Sequence, residues 1–290
     1  MKILRRGEIV IIESNLSDDT QLFDKNAQYR QGDIVVNSKS KYKAKVDVIN
    51  QNLNNAAYWE WIDTSNEWAC FDYYLNTSSY NKDCIDISFA CVGANAIYIA
   101  GLQAKMLLIE VIDIRNNQIT EQQEFKLYGN MIASWSEYFF GNWKGKQKSN
   151  IYYERTTYTR NVVFRIRAYG LRDIAIGSII CGELIDIAMT LYAKNSISML
   201  DFSKVESDER GYTQLTRGNF KRTNAFEVLV EDRDMDRVSF LLSELRGEAI
   251  VFVIADYFEN LINFGFLKNH EILLEKVGRS IVSIEIEGLI

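Results

Sequence analysis

The chain contains no proline and one histidine in 290 residues, and its four cysteines follow no paired spacing. Each scarcity excludes something. Proline makes up about 5% of an average protein; without it, turns fall to Asn and Gly, which tolerate positive φ, and Asn52 to Asn55, Asn116-Asn117, Arg210-Gly211 and Glu287-Gly288 supply them. With His270 as the single histidine, a Ser-His-Asp or Cys-His site would depend on that residue alone. It stands in Lys268-Asn269-His270-Glu271, read as a polar turn between strands, and no activated Ser or Cys motif accompanies it. Histidine-rich metal sites are excluded by number, and Cys84 and Cys91 are wrongly spaced for a zinc ribbon. Cys70, Cys84, Cys91 and Cys181 lie in apolar surroundings and are expected to be free buried thiols.

A basic excess is missing too. The net charge is −6, which does not suit a nucleic-acid binder, because phosphate neutralisation needs a basic surface. Lys144, Lys146 and Lys148 beside Trp143 form the clearest local patch and read as a solvated loop. No run reaches the ~18 apolar residues of a membrane helix, and the opening Met1 to Glu13 resembles a first β-strand more than a signal peptide. Neither a phosphate-cradling Gly-Lys-Ser/Thr loop nor a dinucleotide Gly pattern occurs. The expectation is a protein made in the cytosol, with no membrane insertion, cofactor, bound metal or catalytic residue.

What is present is a globular composition, 47% hydrophobic and 25% charged, with strand signals throughout. Short β-branched runs recur at Gly7 to Glu13, Gly32 to Asn37, Ile85 to Cys91, Met106 to Ile114, Val162 to Ala168 and Ile174 to Ile187. Val162, Phe164, Ile166 and Ala168 alternate with Val163, Arg165 and Arg167, which predicts a strand with one buried face. One helix is predicted: Val238, Leu241, Leu242 and Leu245 share a helical face, Asp232, Asp234 and Asp236 crowd its start as capping residues, and Gly247 follows its end. Read as a calcium loop, those aspartates fail, because Arg237 and Ser243 occupy the positions that need Gly and Glu. The continuously apolar Ala249 to Ala255 predicts a strand buried on both faces, in the core or at a subunit contact.

The plan that results is mainly β. It has an N-terminal strand segment over 1–20, a small β-module over 21–65, a β-sandwich over 66–190 with a polar aromatic excursion from Trp135 to Tyr158, and a C-terminal antiparallel β domain with one helix over 191–290.

Three of the five tryptophans fall between Tyr58 and Tyr74. Aromatic rings beside carboxylates and amides either pin a module to its neighbour or stack on sugars. Trp59 and Trp61 close the small module, while Trp68, Cys70 and Phe71 are expected to enter the sandwich core. Glu60, Asp63, Glu67 and Asp72 lie near these tryptophans, but spacing alone does not establish the cross-cleft separation of a glycosidase pair.

Two resemblances follow from these residues. Ala27-Gln28-Tyr29, Gly32-Asp33-Ile34-Val35, Tyr42-Lys43-Ala44 and Trp59 resemble the small carbohydrate-binding module of chitinases, the family 5/12 type. That likeness implies exposed aromatics stacking on sugar, with Tyr42, Trp59 and Trp61 as the candidate glycan-binding face. Thr64-Ser65-Asn66-Glu67-Trp68-Ala69-Cys70-Phe71-Asp72, Trp135-Ser136-Glu137-Tyr138-Phe139-Phe140, Asp201-Phe202-Ser203-Lys204 to Glu209, and Gly265-Phe266-Leu267-Lys268 through Ser283-Ile284-Glu285-Ile286-Glu287-Gly288-Leu289 resemble a family of bacteriophage tail proteins that often carry the same module. This second resemblance implies a virion structural component of the tail tip or baseplate. It would assemble with copies of itself and other tail proteins through a C-terminal domain similar in plan to tail-tube domains, and would present a face to fibres or host glycans.

Overall fold

The computed structural model describes residues 1–74, 77–129, 146–157, 161–191, 195–207, 211–255, 259–276 and 278–289. Trp135, Trp143, Lys144 and Tyr158 of the aromatic excursion lie outside them. Among the described residues the fold is mainly β with one α-helix, Met235–Glu244. The chain divides into two compact units, one of residues 7–181 and the other of residues 1–6 with 182–290.

The unit of residues 7–181 is built on a five-stranded antiparallel sheet in the order Gln118–Lys126, Met106–Asp113, Val162–Ile176, Ser79–Cys91 and Ile9–Ser14. A three-stranded sheet in the order Ile151–Glu154, Ala96–Ala100 and Ser178–Gly182 shares its core, giving a β-sandwich-like arrangement. The alternation from Val162 to Ala168 is realised: Val162, Phe164, Ile166 and Ala168 are buried with Ile85, Ile87 and Phe89 of the neighbouring strand. Burial of each such large side chain is worth about 1.5–3 kcal/mol relative to exposure. The opposite face is ion-paired as well as solvated: Arg165 grips the Asp86 carboxylate through Nε at 2.9 Å and Nη2 at 2.6 Å, and Arg167 Nη2 meets Glu110 at 2.7 Å.

The small module belongs to this same unit. Gln21–Leu22, Ile34–Asn37, Ser40–Ala44 and Trp59–Thr64 form its four-stranded sheet, and Gln28–Tyr29 pairs with Val48–Ile49. Its core is Tyr29, Val35, Ala44, Val48, Leu53 and Trp59.

The other unit is an eight-stranded sheet. Its path runs Leu184–Asp186, Lys2–Leu4, Ile250–Val253, Ile262–Lys276, Arg279–Gly288, Phe220–Glu231 and Met189–Thr190, with Ser196–Asp201 also paired to Phe220–Glu231. Met235–Glu244 lays Val238 and Leu242 on a core with Phe226, Val228, Phe252, Val282 and Ile284.

Several details differ from the sequence reading. Met1 to Glu13 is two strands in two units: Lys2–Leu4 pairs with Leu184–Asp186 and Ile250–Val253, whereas Ile9–Ser14 pairs with Ser79–Cys91. Leu184–Asp186 and Met189–Thr190 hydrogen bond into the C-terminal sheet, so contacts divide the chain at 181/182 where the sequence suggests 190/191. Lys268-Asn269-His270 is no turn; it continues the strand Ile262–Lys276 across a register irregularity between Leu267 and Asn269. Ile250, Val251, Phe252 and Val253 are all buried within the chain, so their apolar run requires no subunit contact. The helix start has no side-chain cap, and the Asp232 carboxylate instead accepts the Gly278 N–H at 2.8 Å. Gly247 does take a left-handed φ of 75°. Of the cysteines, Cys84 is exposed and the other three are buried.

Candidate functional site

Two surfaces carry chemistry that the cores leave unused. The first is at the edge of the small module. Trp59–Thr64 pairs with Ser40–Ala44 so that Ala44 faces Trp59 and Tyr42 faces Trp61, with Ile62 as the extra residue of a bulge. Trp59 and Trp61 therefore lie on one side of the strand, but in different surroundings. Trp59 is 2% exposed, edge-on to Phe23 at 5.7 Å and to Tyr29 at 5.3 Å. A ring so enclosed offers no face to a sugar, which corrects its assignment as a stacking platform. Its indole Nε1 is buried without a hydrogen-bond acceptor among the described residues.

Trp61 is 43% exposed and leans on Tyr74, ring centroids 5.4 Å apart at 32°. Tyr42 opposite is half-buried against the module core. The structure thus brings Tyr42 and Trp61 together and adds Tyr74, which the sequence signalled only as the last member of the aromatic stretch. Tyr74 is held by its backbone: its N–H donates to Asp72 Oδ1 at 2.9 Å, and the Thr77 hydroxyl donates both to that oxygen at 2.8 Å and to the Tyr74 carbonyl at 3.0 Å.

The nearby carboxylates have local tasks. Asp63 accepts the Thr64 N–H at 2.8 Å and Asp72 braces the Tyr74 turn. Burial, followed by the charge of Asp18, raises the Glu67 carboxyl above its ordinary value. Asp18 bonds to Lys41 Nζ at 2.6 Å and accepts the Asn66 N–H at 3.0 Å. The Lys39 ammonium sits 3.7 Å above the Trp68 ring, while Cys70 and Phe71 enter the sandwich core. This set of contacts is the junction between module and sandwich.

The second surface is an arm. Ser196–Asp201 pairs with Phe220–Ala225 inside the eight-stranded sheet, and Lys204–Ser207 with Thr213–Thr216 prolongs the same hairpin beyond it. The junction is a bulge: Phe202 bonds Asn219 and Lys204 faces Thr216, leaving one extra residue on the returning side. Glycine is required there, since a Cβ on Gly218 would stand 2.3 Å from the Phe202 carbonyl oxygen. Every residue of Ser196–Asp201, Lys204–Ser207 and Thr213–Thr216 is exposed. Val205 and Leu215, directly opposite one another, are 66% and 70% exposed, and Met199, Phe202, Tyr212 and Phe220 are also uncovered.

Among the described residues there is no group of three or more His, Cys, Asp or Glu that could hold a metal ion, and no helix long and apolar enough to cross a membrane. Compared with known proteins, the chain matches no family model and no curated protein sequence.

Proposed function

We propose that the protein is a structural component of a bacteriophage tail, at the tip or baseplate, that assembles with copies of itself through the 196–220 arm. The arm carries this reading. A two-stranded ribbon is marginally stable in water by itself, and this one exposes Met199, Phe202, Val205, Tyr212, Leu215 and Phe220. A ribbon of that kind becomes stable by lying on a second protein surface. The occupant in this reading is a second copy of this chain, because identical subunits that each extend an arm to the next form a ring when the rotation between them closes. The motifs of the tail-protein resemblance include Asp201-Phe202-Ser203-Lys204 within the arm and Gly265 to Leu289 in the sheet that carries it, which supports the same reading. Other tail proteins are the remaining partners, and no catalysis, cofactor or nucleic acid enters this role.

Labelling phage particles with an antibody to this chain tests the location. Label at the tip of the tail is expected; label on the head sinks the proposal.

A second reading, a glycan-binding adhesin of the same virion, rests on the exposed Trp61 with Tyr42 and Tyr74. Stacking on a few rings is weak, so several copies must bind together. A glycan array on the purified oligomer beside Trp61→Ala separates the readings: equal binding, or none, leaves the module with a structural role only.

A further inference from the structure

Two thiols 90 residues apart in sequence meet in the sandwich core. Cys91 ends the strand Ser79–Cys91 and Cys181 lies in Ser178–Gly182; they are 1% and 0% exposed. The Cys91 Sγ stands 3.5 Å from the Cys181 carbonyl oxygen. One short segment reaches both strands: the Gly7 N–H donates to that same carbonyl at 2.8 Å, and Ile9 is the register partner of Cys91. The two thiols are close enough to perturb one another's titration, and a bond between them would bring the sulfurs to ~2.05 Å. Cys70 has a different setting, with its N–H on the Ser79 hydroxyl, and Cys84 is exposed.

We propose that Cys91 and Cys181 are a dithiol site that a small peroxide oxidises to an intramolecular disulfide. The surroundings assign the roles. The hydrogen bond from Cys181 lowers the Cys91 thiol against the effect of burial, whereas burial, then that same bond, raises Cys181. Cys91 is accordingly the attacking group, since the thiolate is the nucleophile. The guanidinium of Arg155, 5% exposed and anchored on the Ala94 carbonyl at 2.8 Å, adds positive charge near Cys181. Access is by the turn that follows Cys91, where Val92 is 87% exposed and Gly93 takes a φ of 73°. A peroxide is small enough to enter on a local opening.

The chemistry balances in two steps. The Cys91 thiolate attacks one peroxide oxygen, the O–O bond breaks, and the departing hydroxide takes up the proton that Cys91 gave, leaving a sulfenic acid and water. The Cys181 sulfur then attacks the sulfenic sulfur; its own proton leaves with the sulfenic hydroxyl as a second water, and the S–S bond forms. Two thiols are oxidised by two electrons and one peroxide is reduced. The bond fixes the strand Ser178–Gly182 to the strand Ser79–Cys91.

The test uses the full chain, purified reduced, exposed to hydrogen peroxide without denaturant, then unfolded and alkylated. Two of the four cysteines are expected to become protected, a reductant should restore them, and peptide mapping should join the Cys91 and Cys181 peptides. Closure of so long a loop should raise Tm by about 5–10 °C. Cys84→Ser should keep the link, and Cys181→Ser should lose it. Four alkylated cysteines after peroxide, or a link through Cys70 or Cys84, overturns the proposal on the wild-type protein alone, whether or not the Cys181 variant folds.

Discussion

Trp59 and Trp61 lie on the same side of one strand, two residues apart, yet the first is 2% and the second 43% exposed. The module's aromatic core ends between them. Trp59→Ala removes a ring held by Phe23 and Tyr29 and should cost about 3–5 kcal/mol, seen as early loss of the module in urea and as new protease cleavage within 21–65. Trp61→Ala should stay within about 0.5 kcal/mol of wild type, while weakening any measured polysaccharide binding about threefold to tenfold. Equal destabilisation by both substitutions would contradict the division.

Asn66 joins the module to the sandwich. It is 3% exposed, donates through Nδ2 to the Ser17 carbonyl at 3.0 Å and the Tyr80 carbonyl at 2.9 Å, and accepts the Tyr80 N–H at 2.9 Å. Asn66→Ala removes the partner of these partly buried backbone groups and is expected to cost about 1–3 kcal/mol. Asn66→Asp should be worse at neutral pH, because it also places a second carboxylate beside Asp18. Chemical denaturation with both variants checks the order, and an aspartate milder than the alanine would count against it.

Glu121 is expected to make the sandwich acid-sensitive. Burial alone would raise its carboxyl, but the Thr157 hydroxyl, the Tyr153 phenol and the N–H groups of Thr156 and Thr157 outweigh it and hold the group at about 2, against 4.5 in the unfolded chain. A depressed carboxyl contributes its full stabilisation above the unfolded value and loses it as pH falls towards the folded one. Wild type should therefore lose Tm between about pH 4.5 and pH 2 more steeply than Glu121→Gln, which cannot ionise. Parallel curves for the two proteins would dismiss the carboxylate as a contributor.

Alternation made the strand from Val162 legible in the sequence, and the leucine stripe made the helix legible, because each is a local pattern set by one buried face. The strand Ile262–Lys276 reads as two pieces because Lys268, Asn269 and His270 supply no apolar partner to mark its continuation; pairing with Ile284 to Glu287 carries it through. Lys2–Leu4 could not be assigned locally either, since its partners are near residues 185 and 252. The meeting of Cys91 with Cys181 has the same cause, being a product of topology and not of spacing. For the tryptophans, residue type predicted an aromatic cluster correctly, but only the end of the core decides which ring faces water. The arm is almost invisible in the sequence: its Ser, Thr and Gln positions resemble a loop, and only the scattered Met199, Val205 and Leu215 depart from that composition.

Those arm residues give the most direct check on assembly. Val205 and Leu215 face each other on the ribbon with both side chains mostly in solvent, so Val205→Lys with Leu215→Lys removes no contact from the core of the subunit. Tm of the monomer should stay within about 2 °C of wild type, since exposed sites far from a core seldom matter more. With the arm as the proposed subunit contact, self-association is where the cost should fall, because two desolvated ammonium groups would be buried there. Sedimentation velocity over a concentration series should find oligomers for wild type and at least a tenfold weaker association for the double variant, about 1.4 kcal/mol or more. Association that persists unchanged in the double variant would move the subunit contact away from the arm. The substitution Gly218→Ala separates geometry from chemistry: it leaves every apolar side chain in place but cannot keep the bulge, with 2.3 Å between its Cβ and the Phe202 carbonyl oxygen. If the aim of the ribbon matters as much as its apolar surface, this variant too should fail to associate.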